Sequence, residues 1–190
     1  MTDVLSVARS ELILGGQKSG KSRRAEMLAR DWMAQSPTHK SVLIATAQPW
    51  DDEMRERIAR HRTDRAERVP GMSTLEVPLA LSAAIRQSSA PDTLVVVDCL
   101  TLWLTNMLMP AGGAQGQAEF SLGDLVLAIQ SSPGPVVLVG NEIGLGVIPL
   151  GRETRAFVDA LGSLNQAAAA ACERVTLMVA GLPLVLKGRP

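Results

Sequence analysis

Glycines, a lysine and a hydroxyl at fixed spacing can grip a polyphosphate, and a histidine set among arginines can attack one. This sequence carries both sets. The first is Gly15-Gly16-Gln17-Lys18-Ser19-Gly20-Lys21-Ser22, which satisfies G-x-x-x-x-G-K-[ST]. The glycines let successive backbone N–H groups curl around phosphate oxygens, and a helix starting there adds the positive end of its dipole. Lys21 is expected to reach the β- and γ-phosphates of a nucleoside triphosphate, with Ser22 holding Mg²⁺ through its hydroxyl. Asp98, at the end of "TLVVVD", is the candidate carboxylate partner for that ion. It could equally cap a helix beginning at Leu100.

The second set lies in "ATAQPWDDEMRERIARHRTDRAERVP", which holds six arginines between Arg55 and Arg68. Asp51/Arg55, Glu53/Arg57 and Glu56/Arg60 are spaced as i,i+4 pairs, the pattern of a solvated helical face. Met54, Ile58, His61 and Arg65 form a different stripe, one that faces the body of the protein. His61 is then either a buried imidazole bonded to some carbonyl or a nucleophile beside phosphate-clamping arginines. Attack of the imidazole on an α-phosphate would give a phosphoramidate able to pass the nucleotide on.

The elements that must position these residues are also legible. Apolar runs at 11–15, 41–46, 93–98, 136–141 and 175–181, with a further one at 184–187, read as strands. Most are continuously apolar, as strands covered on both faces are. Helical segments are expected at 22–35, 51–63, 79–87, 100–109, 122–130 and 152–171. Alternation of the two predicts one α/β domain over residues 1–190, with a mainly parallel sheet and a short N-terminal tail at 1–10. "AGGAQGQ" is the one candidate flexible insertion.

Composition narrows the partners. Nineteen basic residues balance nineteen acidic ones, and there are two Phe, three Trp and no Tyr, so neither charge nor stacking surface favours nucleic acid. The apolar stretch 94–109 is broken by Asp98, Thr101, Thr105 and Asn106, which argues against a membrane span. Cys99 and Cys172 lie in apolar surroundings without a CxxC, as reduced thiols of a cytoplasmic protein do. His39 reads as a solvated loop residue.

Four blocks, "GGQKSGKSRRAE", "IATAQPWDDEMRERIARHR", "VVVDCLTLWLTNML" and "NEIGLGVIPLGRETRAFVDALGSLNQ", carry a family resemblance. The chain resembles the bifunctional adenosylcobinamide kinases / adenosylcobinamide-phosphate guanylyltransferases of cobalamin biosynthesis, from Glu11 to Lys187. That implies a P-loop domain of RecA type and two reactions. The terminal phosphate of ATP or GTP goes to the hydroxyl of adenosylcobinamide. GMP from GTP then goes to adenosylcobinamide phosphate, giving adenosylcobinamide-GDP. The family's guanylylated histidine follows Arg57-Ile58-x-x and is here His61. Nucleotide contacts are implied at Gly15–Ser22, Ala45, Thr46, Ala47, Arg62, Thr63, Asp64, Arg65, Glu76 and Asp98, and a homotrimer is implied as the assembly. Lys18 stands where the family often has arginine, and Asp98 where some members have glutamate. Asn141 and Glu142, in the glycine-containing "NEIGLGVIP", are candidate contacts to the corrinoid, although a turn needed only for the chain path would read the same. A plain small-molecule P-loop kinase with a structural His61, and a non-catalytic nucleotide-binding module, are the alternatives.

Overall fold

The computed structural model describes residues 5–109 and 121–189; the "AGGAQGQ" segment lies outside them. In chain order the elements are β1 (Ser10–Gly15), α1 (Lys21–Ala34), β2 (Lys40–Ala45), α2 (Asp52–Arg68), β3 (Ser73–Glu76) and α3 (Leu81–Ser88). There follow β4 (Thr93–Asp98), α4 (Leu100–Leu108), α5 (Leu122–Ser131), β5 (Val136–Val139), α6 (Arg152–Ala171), β6 (Arg174–Val179) and β7 (Leu182–Lys187). They build one sheet in the order β3-β2-β4-β5-β1-β6-β7. Neighbours are parallel except β6 and β7. One strand, β5, separates the loop-bearing β1 from β4, as in RecA-type domains.

Continuous apolar strands form here because both sheet faces are covered. Leu12, Ile44, Val95, Val97 and Leu138 pack on one side against Ile85, Leu104, Leu125, Leu161 and Ala168 of the helices. Ile13, Leu43, Val96 and Val139 pack on the other against Ala25, Leu28 and Ala29 of α1. Alternate residues of each strand therefore serve different cores, so the central strands need no apolar–polar alternation. The small residues of α6 let it lie close, with Leu164 and Ala168 fully buried.

Parallel pairing brings the strand ends to one edge. Glu76 is level with Ala45, Ala45 with Asp98, and Asp98 with Val139. Val139 is level with Ile13, two residues before Gly15. Ligands of open α/β sheets bind beyond this edge.

Several elements differ from the sequence expectation. β3 was not anticipated: its four residues are all exposed and carry no apolar run. α2 runs on to Arg68 rather than ending at Thr63. The last strand, β7, is present but antiparallel. Residues 5–10, expected as tail, are fastened: Leu5 N donates to Asp31 Oδ2 at 2.9 Å, and Arg174 Nη1 donates to the Ser6 carbonyl at 2.7 Å. His39 is not simply solvated: its ring stacks on Trp32 at 3.8 Å and bonds the Trp32 carbonyl. No helix among the described residues is long and apolar enough to cross a membrane.

Candidate active site

The loop after β1 has the backbone a phosphate cradle needs. Gly15 has φ +150°, and a Cβ there would stand 2.5 Å from the Met178 carbonyl oxygen and 2.6 Å from Ser19 Oγ. Gly20 caps α1 at φ 100°. Lys18 takes the left-handed conformation, with φ 55°. Gly16, Gln17 and Lys18 are exposed, whereas Ser19 is buried with its hydroxyl unpartnered among the described residues. Lys21 is buried, and its Nζ donates to the Gly16 carbonyl at 2.6 Å. Burial lowers its pKa below the usual lysine range; Asp98 opposes that shift and Arg57 adds to it. Ser22 is half-buried in the first helical turn.

Asp98 does not cap α4. The cap is Cys99, whose Sγ accepts from Leu102 N at 3.5 Å. The Asp98 carboxylate instead raises the pKa of both Lys21 and Arg65, opposing burial at each. One carboxylate thus lies electrostatically between the phosphate loop and α2.

The Thr46 side chain is already engaged within the protein. It is fully buried, and its hydroxyl donates to the Cys99 carbonyl at 2.7 Å while accepting from Cys99 N at 2.9 Å. Asn106 Nδ2 donates to the Thr46 carbonyl at 2.8 Å. A side chain so engaged has no hydroxyl to offer a nucleotide; it ties the end of β2 to the end of β4. Ala45 and Ala47 on either side are half-buried.

α2 carries the histidine. Asp51 caps it, accepting from Met54 N at 2.7 Å, so Asp51 is not the expected partner of Arg55, which pairs with Asp52. Glu53–Arg57 and Glu56–Arg60 form no ion pair among the described residues. Arg57 is therefore unneutralised on its helix while its charge reaches Lys21. Met54, Ile58 and His61 are half-buried and Arg65 is buried, as the stripe predicts. Among the described residues nothing hydrogen-bonds the His61 ring, which leaves the buried, carbonyl-bonded alternative without support. Arg62 pairs with Glu76, Arg65 Nη2 donates to Thr74 Oγ1 at 3.4 Å, and Asp64 accepts from Arg68 at 3.0 Å. Thr63 only returns its hydroxyl to the Ala59 carbonyl. A pocket of about 440 Å³ opens between α2 and β3, lined by Arg62, Arg65, Val69, Met72, Thr74 and Glu76.

Beyond β5 the chain turns across the loop. Glu142 N donates to the Gly15 carbonyl at 3.1 Å, Asn141 N to Thr101 Oγ1 at 2.9 Å, and Asn165 Nδ2 to the Asn141 carbonyl at 3.1 Å. The Glu142 carboxylate accepts from Gly144 N at 2.8 Å and so closes its own turn. Leu145, Val147, Ile148 and Leu150 stand exposed just beyond.

A phosphate loop at the sheet edge and an unbonded histidine on the helix that follows β2 suit nucleotide transfer, and comparison with known proteins decides which kind. The model of the cobinamide kinase / cobinamide phosphate guanyltransferase family matches residues 11–186. The chain belongs to this family. A bifunctional adenosylcobalamin biosynthesis protein CobP of Pseudomonas aeruginosa is 49% identical over 180 residues, 95% of this chain and 98% of that one. The corresponding CobU of Escherichia coli is 36% identical over 187 residues, 93% and 98% of the two chains. Among solved structures, the flagellar accessory protein FlaH of Methanocaldococcus jannaschii superposes with a TM-score of 0.59 at 12% identity, covering 97% of this chain and 80% of that one. A Pyrococcus horikoshii protein gives 0.53 at 9%, covering 98% and 90%. These two likenesses concern the fold alone. Within the family's frame, the residue that sequence reasoning passed over is Glu26, a buried carboxylate on α1 that reads in the sequence as one more helical charge.

Proposed function

We propose that this member of the family phosphorylates adenosylcobinamide with ATP or GTP and then transfers GMP from GTP to the product, using His61 as the covalent carrier. The observation that carries the second half is electrostatic and geometric together. His61 shares a helix face with Arg57, whose charge adds to the lowering of the Lys21 pKa, and with Arg65, whose pKa the Asp98 carboxylate raises against burial.

In the first reaction the substrate hydroxyl displaces the terminal phosphoryl group and ADP or GDP leaves. The loop amides and Lys21 hold the β- and γ-phosphates while charge moves to the bridging oxygen. Lys21 must give up the Gly16 carbonyl to do so. In the second, an imidazole nitrogen of His61 attacks the α-phosphorus of GTP, the α–β bridging bond breaks, and pyrophosphate leaves. A phosphate oxygen of adenosylcobinamide phosphate then displaces the histidine and forms the new P–O–P bond. Arg57 and Arg65 face the charge that builds on the phosphates. Arg62, Glu76 and the pocket beside them are the contacts we assign to the rest of GTP in this second reaction.

Ser22 and Asp98 fit Mg²⁺: a hydroxyl and a carboxylate are hard oxygen donors. No cluster of three acidic, histidine or cysteine ligands occurs among the described residues, which suits an ion carried largely by substrate phosphates. Bound there, it would neutralise phosphate charge.

For the corrinoid we propose the turn 141–150. Its fastening to Gly15 sets it beside the phosphates, and its exposed leucine, valine and isoleucine side chains suit a large apolar ring. Leu145→Ser should raise the KM for adenosylcobinamide several-fold and leave the KM for the nucleotide unchanged. An unchanged corrinoid KM would remove the turn from the site.

The same reading includes a cytoplasmic homotrimer. The open edge strand β7 exposes Leu182, Leu184 and Leu186, apolar surface of the kind that subunit contacts bury. Light scattering should give three times the chain mass; a monomer at micromolar concentration would refute it.

The decisive experiment uses GTP labelled at the α- or the γ-phosphate. Wild-type protein should retain acid-labile, alkali-stable α-label after denaturation. Absence of α-label would reduce the reading to a kinase.

A further inference from the structure

The long helix α2 has little apolar hold on the protein. Only Arg65 of its seventeen residues is buried. Its attachment is largely ionic and lies toward its C-terminal end. Glu26, in the second turn of α1 and 3% exposed, accepts from Arg68 Nη1 at 2.7 Å. The other arm of Arg68 holds Asp64 of its own helix at 3.0 Å. Burial disfavours the Arg65 charge, and Glu26 leads the groups that restore it. The chain then leaves the helix at Val69, which is 2% exposed and packed in the core beneath α1.

A carboxylate as buried as Glu26 is costly unless a cation holds it. An apolar side chain would seat a helix without that cost, but it would not dictate where two guanidinium groups must lie. The Glu26 grip does, and it joins the helix that carries the phosphate loop to the helix that carries the histidine.

We propose that Glu26 is a positioning residue for guanylyl transfer. By gripping Arg68, and Arg65 through its charge, it sets the angle at which α2 presents His61 to the α-phosphate. This rests on the assignment of His61 as nucleophile. His61 lies seven residues before Arg68, about 10 Å along the helix axis at 1.5 Å per residue. A swing of about 6° at the grip therefore displaces the imidazole by about 1 Å, on the same rise per residue. Misplacement on that scale can slow a reaction about 100-fold. The phosphate loop is held separately, by the Gly20 cap, the Lys21–Gly16 bond and β1, so phosphoryl transfer does not depend on the grip.

The test compares Glu26→Gln with wild type in two assays: single-turnover attachment of α-label to the protein, and steady-state γ-phosphoryl transfer to adenosylcobinamide. Attachment should slow about 10- to 100-fold, while kcat and KM of the kinase reaction stay within about twofold. Arg68→Gln breaks the same grip from its more exposed side and should reproduce the loss even if Glu26→Gln folds poorly. The double variant should be no slower than the slower single one, because both remove one interaction. Attachment at the wild-type rate in both single variants would overturn the proposal. So would equal loss of both reactions, which marks a general structural role. Failure of the wild type itself to take α-label would instead reject the His61 assignment on which the proposal stands.

Discussion

His61→Ala is expected to end guanylyl transfer and leave phosphorylation of adenosylcobinamide running. Removing a covalent nucleophile commonly lowers kcat by about 1000-fold or more, because the bond that splits one difficult step into two can no longer form. The other histidine is not placed to stand in. His39, the second histidine, is stacked on Trp32 and bonded to its carbonyl. The kinase reaction needs the loop, Lys21 and the acceptor hydroxyl, none of which bonds His61. Measuring α-label on the protein beside γ-transfer to the corrinoid separates the two. Loss of both to the same degree would show that His61 supports shared binding and not chemistry.

Lys21→Ala should damage both reactions, by about 100- to 1000-fold in kcat, the scale for losing one donor aimed at developing charge. Lys21 is buried between Asp98 and Arg57 in electrostatic terms, and its Nζ already lies within the loop, on the Gly16 carbonyl. In the function proposed above, the ammonium exchanges that carbonyl for phosphate oxygens when a triphosphate binds. A variant whose guanylyl transfer survives while its kinase reaction fails would show that the two reactions use separate nucleotide positions. Thermal unfolding in the absence of nucleotide gives the control, since the variant also loses the bond to Gly16.

Much of this site was legible in the sequence because its signals are local. A phosphate loop is contiguous, the strands β1, β4 and β5 each hold an unbroken apolar run, and the stripe Met54, Ile58, His61, Arg65 is a matter of helical spacing. What was hidden depends on contacts between distant segments. β3 has four exposed residues, and only its place beside β2 makes it a strand. Glu53 and Glu56 have the spacing to neutralise Arg57 and Arg60 but do not. The Thr46 hydroxyl is locked to Cys99, fifty-three residues away, which no local pattern announces. Glu26 shows least of all, since nothing nearby in the sequence announces that its partner is Arg68.

The sheet order carries one more lesson. β3 is the outermost strand and pairs with β2 alone, so α2 and β3 together form an excursion attached at one border of the domain. With that excursion set aside, β2 becomes the border, and the phosphate loop, Asp98 and the turn after β5 keep every strand neighbour they have among themselves. The second chemistry reads as a graft at the border of a phosphotransfer sheet, and a segment 52–76 exchanged to engineer the two activities apart must bring its own cation for Glu26 and its own core residue for Val69.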